Sequence, residues 1–275
     1  MKKHWRKMAL LGAAVLVLWI LWADRALVQT DVMLTQSQLP ELFDGFRIAQ
    51  VSDLHNTQFG KKNEKLLALL RQAQPDMIAI TGDMIDSRRT DIAVALDFAE
   101  EAVKIAPCYY VTGNHESRIP EYAVLEQGLE AAGVTVLRNE TVTLERDGQL
   151  LTVAGVDDPA FSGREAPEAV MDRVLQSVIS DGYTLLLSHR PELFGNYCQN
   201  GADVVLSGHA HGGQFRLPLV GGLVAPGQGL FPKYDAGVFS SGSTSMVVSR
   251  GLGNSIIPIR IGNRPEVVVI TLCGK

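Results

Sequence analysis

The chain has 275 residues, 46% hydrophobic and 20% charged, with 26 Gly and 12 Pro in no tract; this excludes a disordered, collagen-like or low-complexity protein and suffices for one large domain or two small ones. Three widely spaced cysteines (Cys108, Cys198, Cys273) exclude a disulfide scaffold and a CxxC zinc module. The net charge of −5 conceals an asymmetry: residues 1–25 carry five bases and one acid, so the remainder carries 20 bases and 29 acids, net −9, and no nucleic-acid partner is expected.

Met8–Ala23 is a run without charge, about 24 Å long as a helix against a hydrocarbon core of ~30 Å. Lys2, Lys3, Arg6 and Lys7 precede it, and Trp5, Trp19 and Trp22 extend it toward the interfaces. A cleavage site would need small residues at −3 and −1. Cleavage after Ala23 puts Leu21 at −3, and cleavage after Ala26 puts Asp24 there. The reading is an uncleaved signal anchor. Residues 1–30 then form a cytoplasmic basic flank and a transmembrane helix, and residues 31–275 one domain outside the cytoplasm of a single-pass cell-membrane protein.

Beyond residue 30, short apolar runs alternate with helical patterns. Arg47–Ser52, Met77–Thr81, Cys108–Thr112, Tyr183–Ser188 and Val204–Ser207 read as buried strands. Asn63–Gln74, Asp91–Ile105, Glu121–Ala132 and Ala166–Ile179 read as helices. Thr141–Leu144 and Leu150–Val156 flank Asp147-Gly148, the signal of a hairpin. The last third has many glycines, few helix signals, and strands at Met246–Arg250 and Val267–Leu272. The class is α/β, with two mixed sheets packed between helices. The apolar segment 217–234 reads equally as the lining of an acyl pocket and as core packing under a loop.

The chemistry sits at the strand ends. Apart from His4, every histidine follows an apolar strand. Asp53-Leu54-His55, Gly82-Asp83 with Asp86, Gly113-Asn114-His115-Glu116, His189, and Gly208-His209-Ala210-His211 each end one run. Carboxyl ends of strands form the binding edge of open α/β sheets, so these clusters should converge. Asp-x-His and His-x-His on an extended backbone would point both side chains to one face. The pooled ligands are Asp53, His55, Asp83, Asn114, His189, His209 and His211. Seven exceed one tetrahedral site and, with one bridging carboxylate, suit two divalent cations clamping a phosphoryl group. Nitrogen and oxygen donors without thiolate fit manganese, iron or zinc alike. Gly212-Gly213 and Gly221-Gly222 lack the Gly-Lys-Ser/Thr of a nucleotide loop; the first pair lets the chain turn behind His211.

The five blocks, taken in order over roughly residues 46–215, resemble the calcineurin-like metallophosphoesterases. Ser52-Asp53-Leu54-His55, the run Gly208 to Gln214, and Ser249-Arg250-Gly251-Leu252-Gly253 with Pro258, Arg260, Pro265 and Glu266 extend the resemblance to a bacterial membrane-anchored branch, which includes phosphodiesterases and some UDP-diacylglucosamine diphosphatases. The resemblance implies a four-layer α-β-β-α sandwich of two mixed sheets with a dinuclear site at the sheet edge. One metal would take Asp53, His55, Asp83 and His211; the other Asp83, Asn114, His189 and His209. A bridging hydroxide would be the nucleophile. His115, oriented by Asp86, would protonate the leaving group. Several protein phosphatases of the family have Arg-Gly directly after the Asp86 position. Here Ser87 stands there, followed by Arg88 and Arg89, and Arg190 is a candidate substitute phosphate clamp. The expected substrate is a phosphoester, with a lipid-linked pyrophosphate as the alternative. A non-catalytic metal-binding membrane protein is the reading from another class.

Overall fold

Strands buried on both faces need continuous apolar runs, and the runs identified above become the inner strands of two sheets. The computed structural model describes residues 2–179, 181–254 and 256–275. In chain order it contains α1 (Lys2–Ala23), β1 (Val28–Gln36), β2 (Arg47–Val51), α2 (Glu64–Ala73), β3 (Met77–Thr81), α3 (Ile92–Ala102), β4 (Cys108–Val111), α4 (Tyr122–Ala131) and β5 (Thr135–Val136). The second half contains β6 (Glu140–Arg146), β7 (Gln149–Gly155), α5 (Pro167–Val178), β8 (Thr184–Leu187), α6 (Phe194–Gln199) and β9 (Val204–Ser207). It continues with the two-residue strands β10 (Arg216–Leu217), β11 (Gly221–Gly222), β12 (Val224–Ala225) and β13 (Gly229–Leu230), then β14 (Gly237–Ser241), β15 (Thr244–Val248) and β16 (Glu266–Gly274).

The first six-stranded sheet has the order β1-β16-β2-β3-β4-β5 and the second β14-β15-β9-β8-β7-β6. Both are mixed. In the first, β16 runs parallel to β1 and antiparallel to β2, while β2 to β5 are parallel. In the second, β15, β9, β8 and β7 are parallel and the outer strands β14 and β6 antiparallel. The period of two sorts each strand between layers. Ile48, Met77 and Ala79 face a core shared with Leu151, Leu185 and Leu206 of the second sheet. Ala49, Val51, Ile78 and Ile80 face Leu66, Leu70, Phe98 and Leu125 on the helices. Leu186, Val205 and Met246 face Met171, Leu175 and Tyr197 on the other outer layer. The result is the expected four-layer sandwich. The Asp147-Gly148 turn has positive φ at both residues (44° and 83°), the two-residue geometry that matches strand twist.

The N-terminal expectation is overturned. Among the described residues, no helix is long and apolar enough to cross a membrane. Four cations fall within residues 2–7 of α1, and the uncharged remainder, at about 24 Å, is shorter than a ~30 Å hydrocarbon core. The transmembrane helix, signal anchor and single-pass cell-membrane placement with an extracytoplasmic domain are therefore withdrawn. The side chains of Lys2, Lys3 and Arg6 lie outside the described residues. The C-terminal end of α1 meets the body: Ala23 is buried, Asp24 Oδ1 accepts the Arg260 N–H at 2.6 Å, and the Arg264 guanidinium lies 4.9 Å over the Trp22 ring.

Candidate metal centre

β2, β3 and β4 of one sheet and β8 and β9 of the other end at a common edge, and the loops leaving them bring all seven candidate ligands together. Each of the seven is 5% exposed or less. Buried carboxylates and imidazoles are costly unless paired, so their neighbours matter. Asp53 Oδ1 lies 3.4 Å from His211 Nε2, and His211 Nε2 lies 3.1 Å from His55 Nε2. Asp83 Oδ2 lies 3.2 Å from His189 Nε2, and His189 Nε2 lies 3.2 Å from His209 Nδ1. The same Asp83 Oδ2 is 3.6 Å from His55 Nε2, so this carboxylate joins the two clusters.

The backbone achieves this by a route different from the extended one expected. Asp53, His55, Asp83, His209 and His211 all have positive φ, between 46° and 65°. Left-handed backbone costs a non-glycine residue roughly 1–2 kcal/mol. The i, i+2 pairs therefore converge through turns, not strand alternation. Neighbouring hydrogen bonds hold the turns: Asp53 N–H donates to Gly82 O (3.0 Å) and His55 N–H to Asp83 O (3.1 Å). Close approach also explains two glycines. A Cβ on Gly113 would overlap Asp83 Oδ1, and one on Gly208 would overlap Ser52 Oγ and Asp53 Oδ2. The segment Ser249 to Gly253 braces the Asp53 turn, with Leu252 N–H donating to Ser52 O (3.0 Å) and Gly253 N–H to Asp53 O (2.6 Å).

The donor set fits divalent cations. His55 Nδ1 is 3.2 Å from Ile85 O and His189 Nδ1 is 2.7 Å from Thr81 O. Each carbonyl fixes the ring proton on Nδ1 and turns Nε2 into the cluster, as in metal-ligating histidines. His209 instead presents Nδ1 to the cluster. Burial pushes His55 down to about 3, holds His209 well below the ordinary range and lowers His211, leaving neutral rings with available lone pairs. Burial also penalises the His189 cation, but the charge and hydrogen bond of Asp83, with the charges of Asp53 and Asp158, together more than offset it and raise His189 to about 10. A proton and a metal compete for that position. Three buried groups have ligand atoms within 4.8 Å of one another: Asp53, His55 and His211; Asp83, His189 and His209; and His55, Asp83 and His115. Hydrogen bonding among protein atoms alone turns the Asn114 amide nitrogen toward His209 Nδ1 (2.8 Å) and its oxygen toward Arg118 Nη2 (3.3 Å). A shared cation would favour the reverse, with the oxygen as ligand.

His115 lines the cavity above the cluster. Its Nδ1 accepts the Ser87 N–H at 3.0 Å and lies 3.6 Å from Asp86 Oδ1. A ring whose Nδ1 accepts a hydrogen bond carries its proton on Nε2 when neutral. Burial lowers its pKa, with Asp83 and Asp86 opposing. Arg190, the candidate phosphate clamp, is committed elsewhere: Nε and Nη2 donate to the two oxygens of Asp158 at 2.6 and 2.9 Å. Asp158 thus holds Arg190 while its Oδ1 also accepts the Ala160 N–H at 2.9 Å.

Glu116 was assigned no role from the sequence. It is fully buried, and its carboxylate accepts from Asp83 N (3.0 Å), Met84 N (2.8 Å), Ile85 N (3.5 Å) and Gly113 N (2.8 Å). Burial, then the Asp83 charge, pushes its carboxyl up to about 8. The four N–H groups nonetheless favour the ionised form, because a proton on either oxygen would face a donor. An acid directly after Gly-Asn-His was the available signal. Asn263 was likewise missed; its Nδ2 donates to His211 O at 2.7 Å, and nothing in its local sequence marks it.

The model of the family Calcineurin-like phosphoesterase matches residues 46–213. The chain is similar to "Uncharacterized metallophosphoesterase YkuE" of Bacillus subtilis (strain 168), 34% identical over 250 residues that span 88% of this chain and 84% of that one. It is also similar to "Phosphodiesterase YaeI" of Escherichia coli (strain K12), 28% identical over 232 residues and 82% of each chain. Its fold is similar to that of the Thermus thermophilus sulfate thiohydrolase SoxB solved with glycerol, with TM-score 0.53 and 13% identity. That match covers 86% of this chain but 57% of SoxB, and at this identity the likeness concerns fold alone.

Proposed function

The chain belongs to the calcineurin-like phosphoesterase family and is a metal-dependent hydrolase of phosphoester bonds; on that footing we propose how its residues divide the work. The catalytic domain, expected from the sequence at residues 31–275, extends back to Val28, where β1 begins. Asp53, His55, Asp83 and His211 hold one divalent ion, and Asp83, Asn114, His189 and His209 hold a second. The observation that carries this reading is Asp83 Oδ2 lying between His189 Nε2 and His55 Nε2, at 3.2 and 3.6 Å. Bound divalent ions supply Lewis acidity to the phosphoryl oxygens and lower the pKa of water. Manganese, iron and zinc all suit these donors.

His115 acts as the proton donor to the leaving group from Nε2. The donating form is the imidazolium, whose Nδ1–H has the Asp86 carboxylate, 3.6 Å away, as its acceptor, so Asp86 is a positioning residue. Phosphodiesters and phosphomonoesters both suit such a site. The non-catalytic alternative requires a missing ligand or acid, and the full set is present.

The test is hydrolysis of 4-nitrophenyl phosphate and bis(4-nitrophenyl) phosphate by metal-stripped protein, with Mn²⁺, Fe²⁺, Zn²⁺ or Mg²⁺ added back. Turnover should vanish on stripping and return with at least one of the first three. Turnover indifferent to chelation, or none with any ion, overturns the proposal.

A further inference from the structure

Three arginines near the cavity differ in what they are bound to. Arg190 is held by both oxygens of Asp158, and Arg88 pairs with Asp86 at 3.3 Å. Arg118 lines the cavity and is exposed, and among the described residues no carboxylate pairs with it. Its Nη2 reaches to 3.3 Å from the Asn114 amide, beside the metal cluster, and its charge is felt by His115 on the same turn. A guanidinium so placed offers a planar fork to phosphoryl oxygens.

The same cavity, about 390 Å³, is lined elsewhere by Val224, Pro226, Ile256 and Ile257. These apolar residues are fixed to the metal centre, not loosely adjacent to it. Gln214, three residues after His211, donates from Nε2 to Ile257 O (2.9 Å) and Ile259 O (2.6 Å). Leu223 N–H donates to Gly213 O (3.0 Å), tying the strand that carries Val224 to the same turn. A cavity with an apolar lining and a cation that, among the described residues, no carboxylate pairs with separates a charged end of the ligand from an apolar one.

Resting on the phosphoesterase reading, we propose that Arg118 grips the scissile phosphoryl group and the Val224–Pro226 and Ile256–Ile257 lining receives the ester's organic group. The site then selects phosphoesters of apolar alcohols over those of nucleosides.

The test compares two diesters with one leaving group, phenyl 4-nitrophenyl phosphate and thymidine 5′-(4-nitrophenyl phosphate), on metal-loaded full-length protein. The phenyl ester should have kcat/KM at least about 10-fold higher, the scale on which apolar pockets discriminate. The double variant Ile256→Asn with Val224→Asn should level the two. Arg118→Met should raise KM for both esters and the inhibition constant of inorganic phosphate about 10- to 100-fold, the range for a charge-assisted hydrogen bond. Metal content should stay unchanged, and Arg118→Lys should recover part of the loss. An equal or faster thymidine ester, or phosphate inhibition unaffected by Arg118→Met, overturns this inference and leaves the phosphoesterase reading standing. Absence of turnover of either ester by the unaltered protein overturns both.

Discussion

Glu116→Gln changes one atom of a fully buried side chain, and the structure sets its cost. The amide retains one acceptor oxygen. That oxygen keeps the pair formed by Asp83 N (3.0 Å) and Gly113 N (2.8 Å). The new NH₂ then faces Met84 N, which donated at 2.8 Å, and Ile85 N, whose 3.5 Å contact is weak. Losing one bond to a charged acceptor costs roughly 1.5–3 kcal/mol, and stranding the Met84 N–H adds a desolvation penalty of ~1–3 kcal/mol that overlaps with it. The sum is about 2–4 kcal/mol, a large share of the roughly 5–15 kcal/mol that holds a domain folded. Urea unfolding of metal-stripped protein measures this without involving catalysis. The midpoint should fall by about 1 M at unchanged slope. A midpoint within error of the unaltered protein would refute the assignment of Glu116 as the common acceptor of the β3 and β4 loops.

Three further outcomes are expected. His115→Ala should retain metal but lose ~10²–10⁴-fold in turnover of alkyl esters, and less with nitrophenolate, which leaves well as an anion; metal loss, or equal slowing with both leaving groups, contradicts the proton-donor role. Asp83→Asn should lower metal content from about two equivalents by elemental analysis, since both clusters share that carboxylate; an unaltered ratio contradicts the shared site. Burial pushes the Cys108 thiol up to about 12, so at pH 8 about one molecule in ten thousand carries the reactive thiolate; native-state alkylation followed by mass spectrometry should leave Cys108 unmodified until unfolding.

The parallel strands were legible because each is buried on both faces and ends abruptly in Gly, Asp or His. Met77–Thr81 and Val204–Ser207 match residue for residue. β1 escaped notice: in VQTDVMLTQ three polar residues are followed by three apolar ones, so the alternation of its burial does not show in its sequence, and its start at Val28 was absorbed into the leader. α6 has six residues, too few for a helical period to show, and β10 to β13 have two each. The site's membership was readable from residue type and position, whereas its geometry was not. Left-handed φ at Asp53, Asp83 and His209 is imposed by bonds between distant loops, which local propensity does not encode. Arg118 was invisible for a related reason: its availability depends on which carboxylates fold beside it, and Arg190, in a more suggestive setting, is occupied by Asp158.

The position of β16 has a consequence for how the molecule is made. This final strand lies between β1 and β2, and its register with both runs through Val268 to Thr271. During synthesis, some 230 residues separate the emergence of β1 from that of the strand beside it. The first sheet must wait with a gap at its second place, and β2, which leads into Asp53 and His55, keeps one edge unpaired until then. Pairings of such long range close slowly, and open strand edges invite association with other chains in the interval. The second sheet finds its central neighbours β7, β8 and β9 within a much shorter stretch of chain. The two halves of the metal cluster therefore mature on different clocks, the half carried by β2 waiting for β16.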